Sequence, residues 1–236
     1  MWRIVMMVTR LFLKAPYYFC RIWYYSKSNK PFDERFFYIK QVTKAANKAG
    51  RVNIETFGEE NIPQKNGFVF FPNHQGLFDM LVFLDACPVP FSFVMKKEVR
   101  NIILLKQVSD ALDGLAIDRE DIRQSMTVIR TMSEEVKKGK NYVIFPEGTR
   151  SKTPNKPIAF KGGSFKSAVK AKAPIVPCAL VDTYKPFDAN TIKPVDVKLI
   201  YLPPMYYEEY KEMKTTEIAE EVKSRIEVAI NEYQNK

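Results

Sequence analysis

A chain of 236 residues with 46% hydrophobic content can bury a substantial core, and its composition excludes a low-complexity or collagen-like protein. Its net charge of +10 favours polyanionic partners: nucleic acid, anionic lipid headgroups or an acidic carrier protein. Its three cysteines form no closely spaced pair, which argues against a disulfide framework or a zinc site and indicates a reducing compartment.

Residues 1–30 contain six basic residues and no acidic one. Four of these basic residues would share one side of a helix, within about 40° of one another: Arg3, Arg10, Lys14 and Arg21. The remaining surface would be apolar and aromatic, which is typical of a segment in the membrane interface. The alternative is a core helix whose arginines reach solvent. The apolar runs are too short to span a membrane, and we expect residues 1–48 to form an amphipathic helical membrane anchor, bent or split at Pro16.

Helices and strands are predicted to alternate through the rest of the chain. Apolar residues at helical spacing predict helices over 33–49, 77–87, 98–109, 120–139, 164–172 and 215–234. Short apolar or alternating runs predict strands over 51–58, 67–72, 89–98, 141–151, 173–181 and 195–207, with another at GLAIDRE. This order predicts an α/β fold with a mostly parallel or mixed central sheet flanked by helices, in a domain spanning residues 49–236.

Three polar clusters fall at predicted strand ends: NHQGLFD, AIDRED and FPEGTRS. Ligands of open α/β sheets bind at the carboxyl ends of strands, so these clusters mark the candidate site. The first contains His74, the only histidine of the chain. His74 and Asp79 can meet if the histidine lies on the loop before a helix and the aspartate in its first turn, because five residues along a regular helix would separate them by about 140°.

An aspartate that accepts from one ring nitrogen fixes the histidine tautomer and supports the imidazolium, which makes a base and its orienting partner. The sequence contains no nucleophile elbow, so a hydroxyl of the substrate is the expected nucleophile. Metal binding would need more ligands than one histidine and dispersed cysteines supply. Arg119 and Arg150, at the other two strand ends, suit phosphate oxygens, although local salt bridges of Asp118 with Arg119 and of Glu147 with Arg150 are the alternative.

NHQGLFD resembles the NHxxxxD block of the glycerolipid acyltransferase family. Further blocks match in order: VMKKE, GLAIDR, FPEGTRS, FKGGSFK and IVPCAL. Together they cover roughly residues 50 to 182. Two departures stand out: Gly76 occupies a position where many members have serine, and NIILLKQVSD lacks the proline and glycine that often follow the lysine block.

The resemblance implies that His74 is the general base and Asp79 its orienting partner. It also implies a phosphate-side acceptor site formed by Lys96, Arg119, Glu147, Gly148, Thr149 and Arg150. The expected reaction moves an acyl group from acyl-CoA or an acyl carrier protein to the sn-2 hydroxyl of lysophosphatidate, giving phosphatidic acid, with no cofactor or metal.

Two alternatives remain at this point. An acyltransferase of the same chemistry could act on a different lysophospholipid or an aminolipid. A non-catalytic basic protein could bind membranes or nucleic acid, but the aromatic residues cluster in the expected anchor rather than among nucleic-acid-binding cations. We therefore expect an anionic membrane surface, not nucleic acid, as partner, and a peripheral or monotopic location on the cytoplasmic face of the cell membrane.

Overall fold

The computed structural model describes residues 2–234 of the chain. Within this range the sheet has seven strands: β1 (Val52–Phe57), β2 (Val69–Pro72), β3 (Ser92–Lys96), β4 (Leu115–Ile117), β5 (Tyr142–Val143), β6 (Ile175–Val181) and β7 (Val195–Tyr201). Their order across the sheet is β1-β7-β6-β2-β5-β3-β4. Neighbouring strands run parallel except β6 and β7, which are antiparallel. The prediction of a mostly parallel or mixed sheet is confirmed.

The helices of the described chain lie before, between and after these strands. They are α1 (Trp2–Arg10), α2 (Ala15–Lys27), α3 (Phe32–Ala49), α4 (Asp79–Ala86), α5 (Leu105–Ala111), α6 (Ile122–Lys137), α7 (Lys166–Ala171), α8 (Lys185–Asp188), α9 (Tyr207–Tyr210) and α10 (Thr215–Tyr233).

Helices cover both faces of the sheet because its central strands carry apolar side chains on both sides. Successive residues of β2 point to opposite faces. Phe70 packs with Phe36 of α3 and Phe83 of α4 in one core layer. Phe71 lies in the other layer, where the ring of Phe165 stacks on it at 4.2 Å between centroids and α10 covers the sheet. The strand VFFP is therefore buried along its whole length.

Element boundaries differ from the prediction where the backbone turns sharply. The helix predicted over 98–109 begins at Leu105, because Leu104 has a φ of +73° that no α-helix accepts. The strand predicted over 141–151 pairs only through Tyr142–Val143, and the chain then turns at Gly148, where φ is +72°. The short helices α8 and α9 were not predicted, since a single turn leaves no helical periodicity in the sequence.

Arg3 is buried, with 1% of its surface exposed. Its Nε donates to the carbonyl oxygen of Pro186 at 2.9 Å, and its Nη2 donates to the carbonyl oxygens of Thr191 and Lys193 at 3.0 and 2.8 Å. Its Nη1 donates to the carbonyl oxygen of Gly50. The guanidinium thus ties α1 to the end of α3 and to the loop between β6 and β7.

The basic residues of the N-terminal segment do not form one exposed stripe. Arg10 also faces the domain and donates to the carbonyl oxygen of Ala49 at 3.1 Å, so α1 turns its apolar side outward. Large exposed apolar and aromatic residues follow along α1, the connecting turn and α2: Trp2, Ile4, Val5, Val8, Phe12, Leu13, Tyr17, Phe19, Trp23 and Tyr24. Helical spacing placed Arg3 and Arg10 together correctly, but Lys14 and Arg21 lie on the turn and on α2, and the pattern did not indicate which side of α1 faces the domain.

No helix in residues 2–234 combines the length and apolar character needed to cross a bilayer. The division into a helical segment at 1–48 and a domain at 49–236 stays a prediction. Before that boundary, α3 already contributes Phe36 and Ile39 to the core beside the sheet.

Replacing Arg3 by alanine should lower the free energy of unfolding by about 3 kcal/mol, since charge-assisted hydrogen bonds contribute about 1.5–3 kcal/mol each and the buried carbonyls lose their donors together. Denaturant unfolding followed by circular dichroism measures this loss. Arg10→Ala is the matched control: its single exposed bond should be worth less than about 1 kcal/mol. Equal losses of unfolding free energy in the two variants would contradict the larger contribution assigned to the buried hydrogen bonds of Arg3.

Candidate active site

The candidate site lies where β2, β5 and β6 end side by side. These three strands are parallel neighbours, so the loops that follow them leave the sheet at one edge. The loop after β2 carries NHQG, the loop after β5 carries EGTR, and the chain after β6 continues through Thr183. The expected convergence of the first and third sequence clusters at one sheet edge is therefore confirmed.

His74 and Asp79 are in direct contact, as their spacing predicted. The Nδ1 atom of His74 lies 2.7 Å from Oδ2 of Asp79. The histidine is on the loop and the aspartate is the first residue of α4, the arrangement that allows a five-residue separation to close. Asp79 is completely buried, whereas 22% of the His74 side chain is exposed. An ionised Asp79 accepts from Nδ1–H, which leaves Nε2 unprotonated and able to take a proton.

The carboxylate of Asp79 receives further donors from its own loop. Oδ2 also accepts from the backbone amides of Gln75 at 2.7 Å and Gly76 at 3.0 Å. The ring of Phe145 packs beside the imidazole at 4.3 Å between centroids. These contacts fix the loop around a buried charge that would be costly without several donors.

Thr183 was missed by the sequence analysis. Its buried hydroxyl donates to Oδ1 of Asp79 at 2.6 Å, although the two residues are 104 positions apart. The available signal was its position two residues beyond β6, at the carboxyl end of a predicted strand. That signal identifies an edge of the sheet, not a particular partner.

The structure explains Gly76, the departure from the family pattern in NHQGLFD. A Cβ atom at this position would stand 3.2 Å from Cα of Tyr184 and 3.5 Å from the carbonyl oxygen of Thr183. The backbone after β6 therefore approaches the loop too closely for an unstrained side chain. Serine at position 76 would require that segment to shift by a few tenths of an ångström.

Glu147 is buried with 1% of its surface exposed. Its Oε1 accepts from the backbone amide of His74 at 2.6 Å, and its Oε2 accepts from the amide of Ile158 at 3.1 Å. Burial raises the pKa of Glu147 to about 7. The alternative of a local salt bridge to Arg150 is wrong, because Glu147 points into the protein. Because the Glu147 carboxyl group is almost fully buried, it cannot contact the acceptor directly. Glu147 instead accepts a hydrogen bond from the His74 backbone.

Gly148 and the residues after it form the exposed side of the site. The backbone of Gly148 is left-handed, and a Cβ there would stand 3.1 Å from Nζ of Lys161, a cation that the sequence analysis did not select. Thr149 and Arg150 line an open cavity of about 460 Å³. The amide of Ser151 donates to the carbonyl oxygen of His74 at 2.8 Å, and Gln75 lines the cavity, which places it beside the backbone of the histidine loop.

Arg150 has no carboxylate within salt-bridge distance among the described residues, so its fork is available to an anion. The cavity also contains Lys152 and one acidic side chain, Asp188. Lys152 likewise lacks an ion-pair partner in the part of the chain that the structure describes. The wall therefore carries two unpaired cations beside the histidine loop.

Lys96 and Arg119 are not brought against His74. Lys96 ends β3 and Arg119 follows β4, and these strands lie two and three strands from β2, or roughly 10 and 14 Å at ordinary strand spacing. Lys96 pairs with Glu98 at 3.1 Å. The alternative salt bridge of Arg119 with Asp118 is wrong: the two are not within salt-bridge distance, and the described partner of Asp118 is Lys97 at 3.3 Å.

Residues 2–234 contain no group of three or more histidine, cysteine, aspartate or glutamate side chains that could hold a metal ion. The three cysteines are free thiols: Cys20 is exposed, and Cys87 and Cys178 are buried.

Comparison with known proteins places these features in context. A family model described as Acyltransferase matches residues 53–181, more than half of the chain. A 1-acyl-sn-glycerol-3-phosphate acyltransferase from Borreliella burgdorferi is 30% identical over 141 residues, covering 60% of this chain and 56% of the relative. One from Helicobacter pylori is 29% identical over 172 residues, covering 68% and 71%. One from Cocos nucifera is 28% identical over 155 residues, covering 64% and 50%.

The chain thus spans from about half to seven-tenths of the length of these relatives. A solved structure covers it more fully: the 1-acyl-sn-glycerophosphate (LPA) acyltransferase PlsC from Thermotoga maritima. The TM-score is 0.79 at 23% identity, over 99% of this chain and 97% of the other. The two proteins share an α/β fold with a mixed central sheet flanked by helices.

The raised pKa of Glu147 predicts a specific pH dependence of stability. Between about pH 4.5 and 7 the native carboxyl keeps a proton that the unfolded chain has lost, so this group stabilises the fold as the pH falls through that window. At about 1.36 kcal/mol per pKa unit, its contribution should grow by up to about 3 kcal/mol.

Urea unfolding of wild type and Glu147→Gln at pH 5 and pH 7.5 measures this contribution. The free energy of unfolding of wild type minus that of Glu147→Gln should be larger at pH 5 than at pH 7.5, because only the wild type gains stability as its carboxyl group keeps a proton. The exposed carboxyl variant Glu98→Gln is the control and should not reproduce that increase. A difference that does not change with pH would contradict the raised pKa.

Proposed function

The chain belongs to the acyltransferase family, and from that premise we propose that it transfers an acyl group from an acyl thioester to the sn-2 hydroxyl of lysophosphatidate, making phosphatidic acid. The observation that carries the proposal is the pair formed by His74 and Asp79, beside a cavity lined by Arg150. Relatives similar to this chain carry the name 1-acyl-sn-glycerol-3-phosphate acyltransferase. That name supports the choice of acceptor.

In the proposed mechanism, Nε2 of His74 removes the proton from the acceptor hydroxyl as its oxygen attacks the thioester carbonyl. Asp79 stabilises the imidazolium through Nδ1–H, whose proton stays on the ring. The tetrahedral intermediate then collapses, its C–S bond breaks, and the leaving thiolate takes the proton from Nε2. The products are an ester and a free thiol. General-base assistance of this kind contributes roughly 10²–10⁴-fold.

The acceptor phosphate is proposed to bind at the loop after β5. Arg150 and Lys152 supply charge on the cavity wall, and Thr149 supplies a hydroxyl. The bond between Ser151 and the backbone of His74 holds this wall at a fixed place relative to the base. Lys96 and Arg119 lie farther along the same sheet edge, and we assign them to attraction of the phosphate toward the site.

We propose acyl-CoA or an acyl carrier protein as donor, since both are anionic and suit a protein of net charge +10. The transfer balances without a redox step or an added group, so the proposal requires no cofactor.

We further propose that the protein lies peripherally or monotopically on the cytoplasmic face of the cell membrane, through the exposed apolar side of α1 and α2. Two observations support this. Arg3 and Arg10 hold α1 to the domain with its apolar side outward. A second exposed apolar run, from Ile102 to Leu105, leads into α5, which packs against α2. Apolar surface of this extent on one side favours contact with lipid.

His74→Ala should abolish acyl transfer, because it removes the imidazole nitrogen that takes the hydroxyl proton and that Asp79 orients. Arg150→Ala should retain turnover but raise the KM for lysophosphatidate, by about tenfold or more for the loss of a charge-assisted phosphate contact. Mass spectrometry of the product, with both donors, measures these effects. Near-normal turnover by the histidine variant would refute the assignment.

The same assay distinguishes the other candidate functions. Preference for another lysophospholipid or an aminolipid would change the acceptor and keep the chemistry. Lack of turnover with every acceptor, while the wild type still binds vesicles, would favour a non-catalytic membrane-binding protein.

The double variant Phe12→Asp with Leu13→Asp should weaken binding to vesicles containing phosphatidylglycerol by at least about tenfold, because both side chains project from the turn between α1 and α2 and lose their apolar contact with lipid. Vesicle sedimentation measures this. Val228→Asp, an exposed apolar position on α10 in the other layer of the fold, is the control and should bind like wild type. Unchanged binding of the double variant would place the membrane contact elsewhere.

A further inference from the structure

The carboxylate of Asp79 is held unequally at its two oxygen atoms. Oδ2 accepts from the His74 ring and from the amides of Gln75 and Gly76, all on the loop after β2. Oδ1 accepts from the hydroxyl of Thr183 at 2.6 Å. The threonine is therefore the link from the carboxylate to the chain after β6, and it fixes rotation about the Cβ–Cγ bond of Asp79.

The residue before Thr183 has a strained backbone conformation that directs Thr183 to this position. Asp182, which precedes it, has a φ of +63°, a conformation that costs a non-glycine residue free energy unless its surroundings hold it. Asn155 supplies that hold: its Nδ2 donates to Oδ1 of Asp182 at 3.0 Å, and its Oδ1 accepts from the Asp182 amide at 2.9 Å. Lys185 adds an ion pair at 2.8 Å. Three contacts thus fix the backbone that aims the Thr183 hydroxyl.

We propose that Thr183 is a positioning residue of the reaction: its hydroxyl holds the Asp79 carboxylate in the rotation that keeps His74 in the Nδ1–H tautomer, with Nε2 free to accept a proton. The inference rests on the proposed function, because it concerns the base of that reaction. Thr183 does not line the cavity beside Arg150, so it acts through Asp79 and not on the acceptor.

The effect of losing the Thr183 hydroxyl follows from the complete burial of Asp79. Asp79 has no exposed surface, so Oδ1 cannot exchange the threonine hydroxyl for bulk water. Without this donor, the carboxylate turns to share the three donors now on Oδ2, and the bond to Nδ1 loses its alignment. The histidine then gains the Nε2–H tautomer, which has its proton on the atom that must accept one.

The chain offers a direct readout, because His74 is its only histidine. In tag-free protein labelled with ¹⁵N-histidine, a single imidazole gives the NMR signals, and the two nitrogen shifts report the tautomer without any substrate. Wild type should show the Nδ1–H form. Thr183→Val, which replaces the hydroxyl with a methyl group of similar size, should show a mixture with the Nε2–H form, and Thr183→Ser should restore the wild-type spectrum.

Kinetics supply the second readout. Thr183→Val should lower kcat about tenfold, in line with the loss of one hydrogen bond to a charged group, with the KM for lysophosphatidate unchanged. Thr183→Ser should recover most of the activity. Thr183→Ala gives the same comparison if the valine variant does not fold, and melting temperatures identify folded protein.

A wild-type imidazole spectrum in folded Thr183→Val and Thr183→Ala would overturn the proposal. An equal loss of kcat in Thr183→Ser would also overturn it, because that variant keeps the hydroxyl. Since the NMR measurement needs no turnover, a wrong acceptor or reaction would leave the spectra unaffected and would be recognised separately.

Discussion

A carboxylate with no exposed surface governs the arrangement of the site. Asp79 can stay ionised in the interior only if donors replace the water it has lost, and four surround it: an imidazole, two backbone amides and a threonine hydroxyl. Its place in the first turn of α4 adds the favourable field of a helix start. The loop must curl for its amides to reach one oxygen, and the close approach of Tyr184 makes a side chain at position 76 a tight fit that glycine avoids.

Glu147 holds the other side of the same loop. One buried carboxylate contacts the ring of His74 and the other contacts its backbone amide, so the histidine is fixed both in rotation and in position. The parallel order β6-β2-β5 makes this possible, because it brings three loops from distant parts of the chain to one edge. The exposed face of the site is left to Thr149 and Arg150, which is where the proposed acceptor meets the protein.

The sequence predicted those features that depend on local pattern. Alternating helices and strands indicated the sheet, and the placement of His74 before a helix predicted its contact with Asp79. Local pattern could not indicate that β6 lies beside β2, and the bond from Thr183 depends on that adjacency. Nor could it show that Glu147 points inward, because EGTR is compatible with a surface salt bridge or a buried carboxylate. Helical spacing grouped Arg3 with Arg10 but could not choose the side that docks on the domain.

The loop between β6 and β7 has a consequence for protein engineering. Near its start, Thr183 contacts the carboxylate of Asp79, and farther along, the guanidinium of Arg3 holds the carbonyl groups of Pro186, Thr191 and Lys193. A truncation that removes α1 to gain a more tractable protein would strip these carbonyls of their donor and loosen the segment that reaches the histidine. Low activity in such a shortened protein would therefore report a disturbed site as much as the loss of the proposed attachment to lipid.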